Sequence, residues 1–303
     1  MSRNRRGVAY VVVATSIVIA SLAGTPALAI DVGADGWGPS TPVSGVNAPQ
    51  ADGCPIESPD GKSLYIASTR DGGDNDIWVA TRESAVTSFG APTMLPVPVN
   101  SGAQDFCPTP LPGNVLLFVS TRGGTDAYGT AACGLGDIYV TSQEPTTGEW
   151  APPRNLGCAP DGPNGPGMEY GPSLASGPGG VSLYFSSGTP IGAGGQDIHV
   201  SRMIDDYRFT APVPVAELNV PGADDVMPNV RPGSRELVFA SSRPGSAGMD
   251  IYSSVRGPDG TWQPPVRLGP NVNTSGAESR PSLSRDGHRL YFGRDGDIYV
   301  ATR

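Results

Sequence analysis

The chain has 303 residues, and 42 Gly with 32 Pro make up about a quarter of them, roughly twice the usual share. Both residues weaken helix interiors, which excludes long helices, and the Gly spacing lacks the three-residue period of collagen. The formal net charge is −9 with Lys62 the single lysine, so no basic surface is on offer and nucleic acid is excluded as a partner.

In chain order, residues 1–29 read as an export signal. Arg3, Arg5 and Arg6 form a positive start, Val8 to Ala23 a weakly polar to apolar stretch, and Ala27-Leu28-Ala29 a small-x-small cleavage pattern. The stretch is shorter than a spanning helix needs. A secreted mature chain is expected, with no membrane insertion, and residues 30–36 serve as a short linker.

From Trp37 onward one unit recurs. Its parts are a proline (Pro55, Pro108, Pro172, Pro228, Pro281) and an apolar run (Leu64-Tyr65-Ile66, Leu116-Leu117-Phe118, Leu183-Tyr184-Phe185, Leu237-Val238-Phe239, Leu290-Tyr291-Phe292). An Asp-Ile-aromatic strand then follows at Asp76-Ile77-Trp78, Asp137-Ile138-Tyr139, Asp250-Ile251-Tyr252 and Asp297-Ile298-Tyr299, with His199 in the aromatic slot of Asp197-Ile198-His199. A fourth strand opens on Trp37, Phe89, Trp150, Phe209 or Trp262. The apolar runs do not alternate, so the second strand is expected to be buried on both faces. Four-stranded antiparallel blades around an axis supply that environment. The first segment, Trp37 to Val43, is a fourth strand without its first three, and the last, Ile298 to Ala301, a third strand without its fourth. Joining them closes the ring. The expectation is an all-β, five-bladed β-propeller over residues 37–303, closed by the N-terminal strand on the C-terminal blade.

Ser58-Pro59-Asp60-Gly61-Lys62, followed by Leu64-Tyr65-Ile66 and Asp76-Ile77-Trp78-Val79, resembles the WD40-like Pro-Asp-Gly repeat of the TolB type, and Ser284-Arg285-Asp286-Gly287-His288 is a second near match. The middle units depart from it, with Pro112-Gly113, Pro178-Gly179 and Pro232-Gly233 at the first turn. The resemblance implies the propeller fold and leaves activity open, because one fold hosts many functions.

A carboxylate precedes each proline by three residues: Asp52, Asp105, Glu169, Asp225 and Glu278. Equivalent slots in a closed propeller form a ring, so a collar at one channel mouth is expected, either binding a ligand or capping its own turns or pairing with a repeat arginine. Arg70, Arg122, Arg243 and Arg294 follow the second strand and precede the Asp of the Asp-Ile pair, so a carboxylate–guanidinium clamp across that hairpin is expected of them. The third unit has Gly188-Thr189 where the arginine would stand. Asp71, Asp74 and Asp76 crowd one loop and are weak metal candidates; no cofactor is expected beyond a calcium ion there. His199 and His288 occupy repeat slots, and neither has the setting of a general base.

Cys133 and Cys158 lie symmetrically about the turn Glu144 to Gly148, so a disulfide is expected, worth on the order of 3 kcal/mol for a loop of about 25 residues. Cys54 and Cys107 share one slot in neighbouring units, and a second bridge between blades is expected there. The insertions at 123–136 and 157–169 carry Tyr128, Tyr170 and Asp161 as ligand-binding candidates on a rim. The leading expectation is a secreted, monomeric, non-catalytic scaffold for a protein, peptide or glycan partner. The alternative is a carbohydrate-active protein, glycosidase-like or a lectin, using the carboxylate ring.

Overall fold

The computed structural model describes residues 36–177, 179–188, 191–192, 195–233 and 235–303. The segment expected to be an export signal, most of the expected linker, and Pro178 and Thr189 lie outside the described residues.

The described chain is all strand, turn and loop. β1 (Thr41–Pro42) comes first, and blade 1 follows as β2 (Asp52–Glu57), β3 (Ser63–Ser68), β4 (Asp76–Thr81) and β5 (Thr93–Met94). Blade 2 is β6 (Asp105–Leu111), β7 (Val115–Ser120), β8 (Asp137–Ser142) and β9 (Arg154–Asn155). Blade 3 is longer, with β10 (Met168–Gly177), β11 (Gly180–Gly188), β12 (Gln196–Asp205), β13 (Arg208–Phe209) and β14 (Val213–Pro214). Blade 4 is β15 (Asp225–Val230), β16 (Glu236–Ser241), β17 (Asp250–Val255) and β18 (Val266–Arg267), and blade 5 is β19 (Glu278–Leu283), β20 (Arg289–Arg294) and β21 (Asp297–Thr302). All pairings within blades are antiparallel, and blade 5 is completed by β1, whose Thr41 and Pro42 pair with Val300 and Tyr299. The expected five-bladed propeller and its seam are both present. Blade 3 adds one feature, a β12–β13 hairpin that makes it five-stranded.

The proline of each unit has a physical cause. The inner strand pairs on one side only, so a residue without an N–H costs no ladder bond there. The residue before it is the bulged one, in a left-handed conformation: Cys54 (φ 50), Cys107 (φ 48), Gly171 (φ 59), Met227 (φ 55) and Arg280 (φ 46). The register of every inner strand slips at this point.

The second strands are buried along nearly their whole length, as the unbroken apolar runs require. The core lies between blades. One cluster joins Leu117 and Ile138 of blade 2 to Leu183 and Phe185 of blade 3, and another joins Tyr291 and Ile298 of blade 5 to Leu64 and Ile66 of blade 1. Trp37 packs with Val238, Ile251 and Phe292 between blades 4 and 5, with the Arg303 guanidinium 4.4 Å from its ring.

Trp37 is 2% exposed and Val86 93% exposed. Trp37→Ala is expected to cost about 3–5 kcal/mol in denaturant unfolding, and Val86→Ala to stay within about 0.5 kcal/mol. A Trp37→Ala loss as small as that of Val86→Ala would mean the seam does not hold the ring shut.

Candidate functional site

The collar lies where the inner strands begin. Asp52, Asp105, Glu169, Asp225 and Glu278 are all buried. Each accepts a backbone N–H from the loop leading into its own strand: Ala48 to Asp52, Ser101 to Asp105, Gly165 to Glu169, Val220 to Asp225 and Thr274 to Glu278. The arginines expected to clamp the Asp of the Asp-Ile pair take four of the collar carboxylates instead: Arg70 to Asp52 at 2.6 Å, Arg122 to Asp105 at 2.6 Å, Arg243 to Asp225 at 2.5 Å and Arg294 to Glu278 at 2.8 Å. The same arginines donate to the carbonyls of Val46, Val99, Leu218 and Val272. Their planar heads also lie near aromatic rings, as Arg243 does at 4.9 Å from Phe239 and 4.8 Å from Tyr252. One guanidinium thus ties the inner strand, the entering loop and the middle strands of a blade together.

A second recurring clamp escaped the sequence reading. Asn47, Asn100, Asn164, Asn219 and Asn273 each accept the N–H of the Ile in an Asp-Ile pair and donate back to its carbonyl. The Asn stands five or six residues before the collar carboxylate in every unit. The spacing is regular, but in loops rich in Asn, Gly and Pro nothing local marks which Asn reaches a neighbouring strand.

Glu169 is the break in the collar. Blade 3 has no arginine in the slot, and the carboxyl meets instead the Ser187 hydroxyl at 2.8 Å and the Gly165 N–H at 3.1 Å. Its Oε2 is buried with no hydrogen-bond partner. Burial without a cation pushes its pKa up to about 8, with the nearby Asp137 adding to the rise, so it is protonated at neutral pH. At the same mouth Asp76 is raised to about 6, by burial first and then by Asp71, Asp105 and Asp74.

The other sequence-chosen residues scatter. Tyr170 is half-buried on β10 with its ring 5.8 Å from that of Phe106, and burial raises its pKa to about 12. Tyr128 is 57% exposed on the outer side of blade 2, and Asp161 is exposed on a loop turn. Asp71 and Asp74 sit on an exposed loop, and among the described residues no group of three or more His, Cys, Asp or Glu side chains is placed to hold a metal ion. His199 stacks on Phe185 as the repeat aromatic would, at 6.1 Å.

Cys133 and Cys158 form the expected disulfide. Cys54 and Cys107, the second expected pair, meet across neighbouring blades with their sulfurs 2.7 Å apart. The shared bulge aims both at the axis, which explains why the slot argument brought them together. Met227 and Arg280 occupy the same slot, and the Arg280 guanidinium crosses to Pro108 O and Thr109 Oγ1 at 3.3 and 3.2 Å. It fits there only because blade 3 has Gly171, where a Cβ would lie 2.2 Å from Arg280 Nη1.

No protein-family model matches the chain, and no curated protein matches it in sequence. Solved structures do match in fold. The catalytic domain of the GH62 α-L-arabinofuranosidase of Coprinopsis cinerea superposes with a TM-score of 0.55 at 14% identity, covering 88% of this chain and 96% of that one. The GH43 endo-arabinanase of Bacillus licheniformis gives 0.52 at 12% identity, covering 85% and 95%. A structure described as a putative TolB from Agrobacterium tumefaciens reaches a TM-score of 0.45 at 20% identity, over 82% of this chain and 71% of that one, and the TolB-type resemblance is not confirmed.

This likeness is one of fold, and it overturns the expectation of a non-catalytic, non-enzymatic scaffold. That expectation took a bare propeller without a second domain as the mark of a binding module. A solved structure described as a catalytic domain superposes on this chain over 96% of its own length.

Removing one partner of a collar pair leaves a buried charge. Arg122→Ala is expected to cost about 3–5 kcal/mol by denaturant unfolding, and a cost below about 1 kcal/mol would show the pair to be idle. Folding raises the Glu169 pKa from 4.5 to about 8. The folded state therefore keeps a proton that the unfolded chain sheds, and this contribution to stability is greatest below pH 4.5 and is lost as pH rises to about 8. Glu169→Gln is expected to raise Tm at pH 8.5 and to leave it nearly unchanged at pH 4.5. Equal effects at both would contradict the raised pKa.

Proposed function

We propose that this chain is a carbohydrate-active propeller that hydrolyses glycosidic bonds in arabinose-containing glycans at the collar mouth. The observation that carries the reading is Glu169, the one collar carboxyl without a guanidinium and the one held protonated at neutral pH. Glycoside hydrolysis needs a carboxylic acid to protonate the leaving oxygen and a second carboxyl group, ionised, as base or nucleophile. The two must sit in environments that separate their pKa values.

The other four collar carboxylates are neutralised by arginine and buried, so the symmetric ring does not supply the pair. Asp76 is the ionisable partner at the same mouth: part-exposed, without a guanidinium, and ionised above about pH 6. Glu169 is closed from solvent, so the reading requires glycan binding to uncover it. Arabinose enters from the neighbours, an α-L-arabinofuranosidase and an endo-arabinanase. Secretion fits a polysaccharide substrate, and the Cys133–Cys158 disulfide fits an oxidising compartment.

The test is release of arabinose or oligosaccharides from arabinan, with 4-nitrophenyl α-L-arabinofuranoside in parallel, between pH 5 and 9. A base at about 6 and an acid at about 8 give a bell in kcat/KM, rising through the Asp76 pKa and falling through that of Glu169. Glu169→Gln is expected to lose about 10²–10⁴-fold on arabinan. Its loss on the nitrophenyl glycoside should be smaller, because nitrophenolate leaves with little need of a proton. No release from either substrate by the unaltered chain sinks the reading; full activity of Glu169→Gln removes the acid from it.

A further inference from the structure

We infer that a groove around the outer edge of blade 2, away from the collar, binds a glycan chain and holds polymeric substrate on the protein. The inference rests on the carbohydrate-active reading for the class of ligand and on separate residues for the site.

Three clefts of about 340, 400 and 280 Å³ adjoin one another there. The first shares Ser142 and Ala151 with the second, and the second shares Gly113, Gln143 and Trp150 with the third. Together they run from the flank facing blade 3, over the outer edge, to the flank facing blade 1. Each is of single-ligand size or close to it, and their succession suits a chain of sugars more than one ring.

The groove is built from departures from the repeat. Tyr128 stands on the insertion peculiar to blade 2, anchored by the Cys133–Cys158 bond and by Asp126. The Asp126 carboxylate accepts the N–H groups of Tyr128 and Thr130 at 2.9 Å and of Asn155 at 2.8 Å. Tyr207 stands in the β12–β13 turn peculiar to blade 3, where Asp206 (φ 24) and Tyr207 (φ 56) are both left-handed. The turn brings Tyr207 against the core cluster between blades 2 and 3 and into the lining of the cleft. Arg154 closes the first cleft by donating to the Asp206 carbonyl at 2.8 Å, from blade 2 to blade 3. The two insertions have no common part in the repeat, yet they meet at one place.

Trp150 supplies an independent observation. In the same slot Trp37, Phe89, Phe209 and Trp262 are at most 7% exposed, whereas Trp150 is only partly buried and lines the second and third clefts. Tyr65 continues the aromatic lining into the third. Flat ring faces next to a guanidinium, an exposed Ser142 hydroxyl and carbonyls match a sugar, which has an apolar C–H face and a rim of hydroxyls. Of its charged lining residues Asp60, Glu144, Glu149 and Asp206 are acidic and only Arg154 is basic, which disfavours a polyanion or an acidic peptide.

The experiment is native gel electrophoresis with soluble arabinan or arabinoxylan cast in the gel. The full chain is run with Tyr128→Ala, Tyr128→Phe, Arg154→Ala and, as a surface control, Val86→Ala, and melting curves confirm that each is folded. The unaltered chain, Tyr128→Phe and Val86→Ala are expected to be retarded, and Tyr128→Ala to bind about five- to tenfold more weakly, the scale of one ring contact. Equal retardation of Tyr128→Ala and the unaltered chain overturns the groove, and so does no retardation of the unaltered chain. Hydrolysis is scored on the same preparations and separates the two readings. Tyr128-dependent retardation without hydrolysis keeps the groove and retires the hydrolase, while hydrolysis without retardation does the reverse.

Discussion

No blade of this molecule has a face of its own to hide. The second strand of each is apolar on both sides, and those sides are buried only when neighbours pack against them, as Leu117 of blade 2 and Phe185 of blade 3 do in one cluster. The ring must therefore close for any blade to be stable. Closure depends on two residue pairs, Thr41 with Val300 and Pro42 with Tyr299, and on Trp37 sunk between blades 4 and 5. This joint is made by the most distant parts of the described chain, so its loop-closure entropy is among the largest in the fold. A deeply buried aromatic anchors it.

Given closure, the inner strands line a common axis. The bulge before each proline turns one residue per blade toward the centre: Cys54, Cys107, Gly171, Met227 and Arg280. Four carboxylate–guanidinium pairs and five Asn clamps then fix the entering loops. Each pair is buried on the carboxylate side, where its worth lies in geometry and in leaving no charge unmatched more than in net free energy. A part that recurs in every blade serves construction. Function in such a fold belongs at the breaks, and blade 3 concentrates them, with its missing arginine, protonated Glu169, Gly171 and extra hairpin.

The two candidate sites use these breaks differently. At the collar, loss of one arginine converts a structural carboxylate into an acid with its proton in place. At the edge of blade 2, added chain builds a surface the repeat does not need. A hydrolase of polymers benefits from both, since holding the chain at one place raises the encounter rate of its bonds with the other.

The sequence by itself determined the architecture. Spacing of proline, apolar run and Asp-Ile-aromatic set five units, and the partial units at Trp37 and Tyr299 set the seam, because strand pairing and two-faced burial follow from local pattern. It also placed the Cys133–Cys158 bond, whose residues flank a single hairpin. What only the tertiary structure decided were relations between segments: that Arg70, Arg122, Arg243 and Arg294 take the collar carboxylates and leave Glu169 without one, that Arg280 reaches across to blade 2 beside Gly171, and that Tyr128 and Tyr207 line one cleft while Tyr170 packs on Phe106. The physical reason is range. Hydrogen-bonding period and burial are written in neighbouring residues, whereas the environment that sets a carboxyl's charge or exposes an aromatic ring comes from segments far apart in the chain, brought together only when the ring shuts.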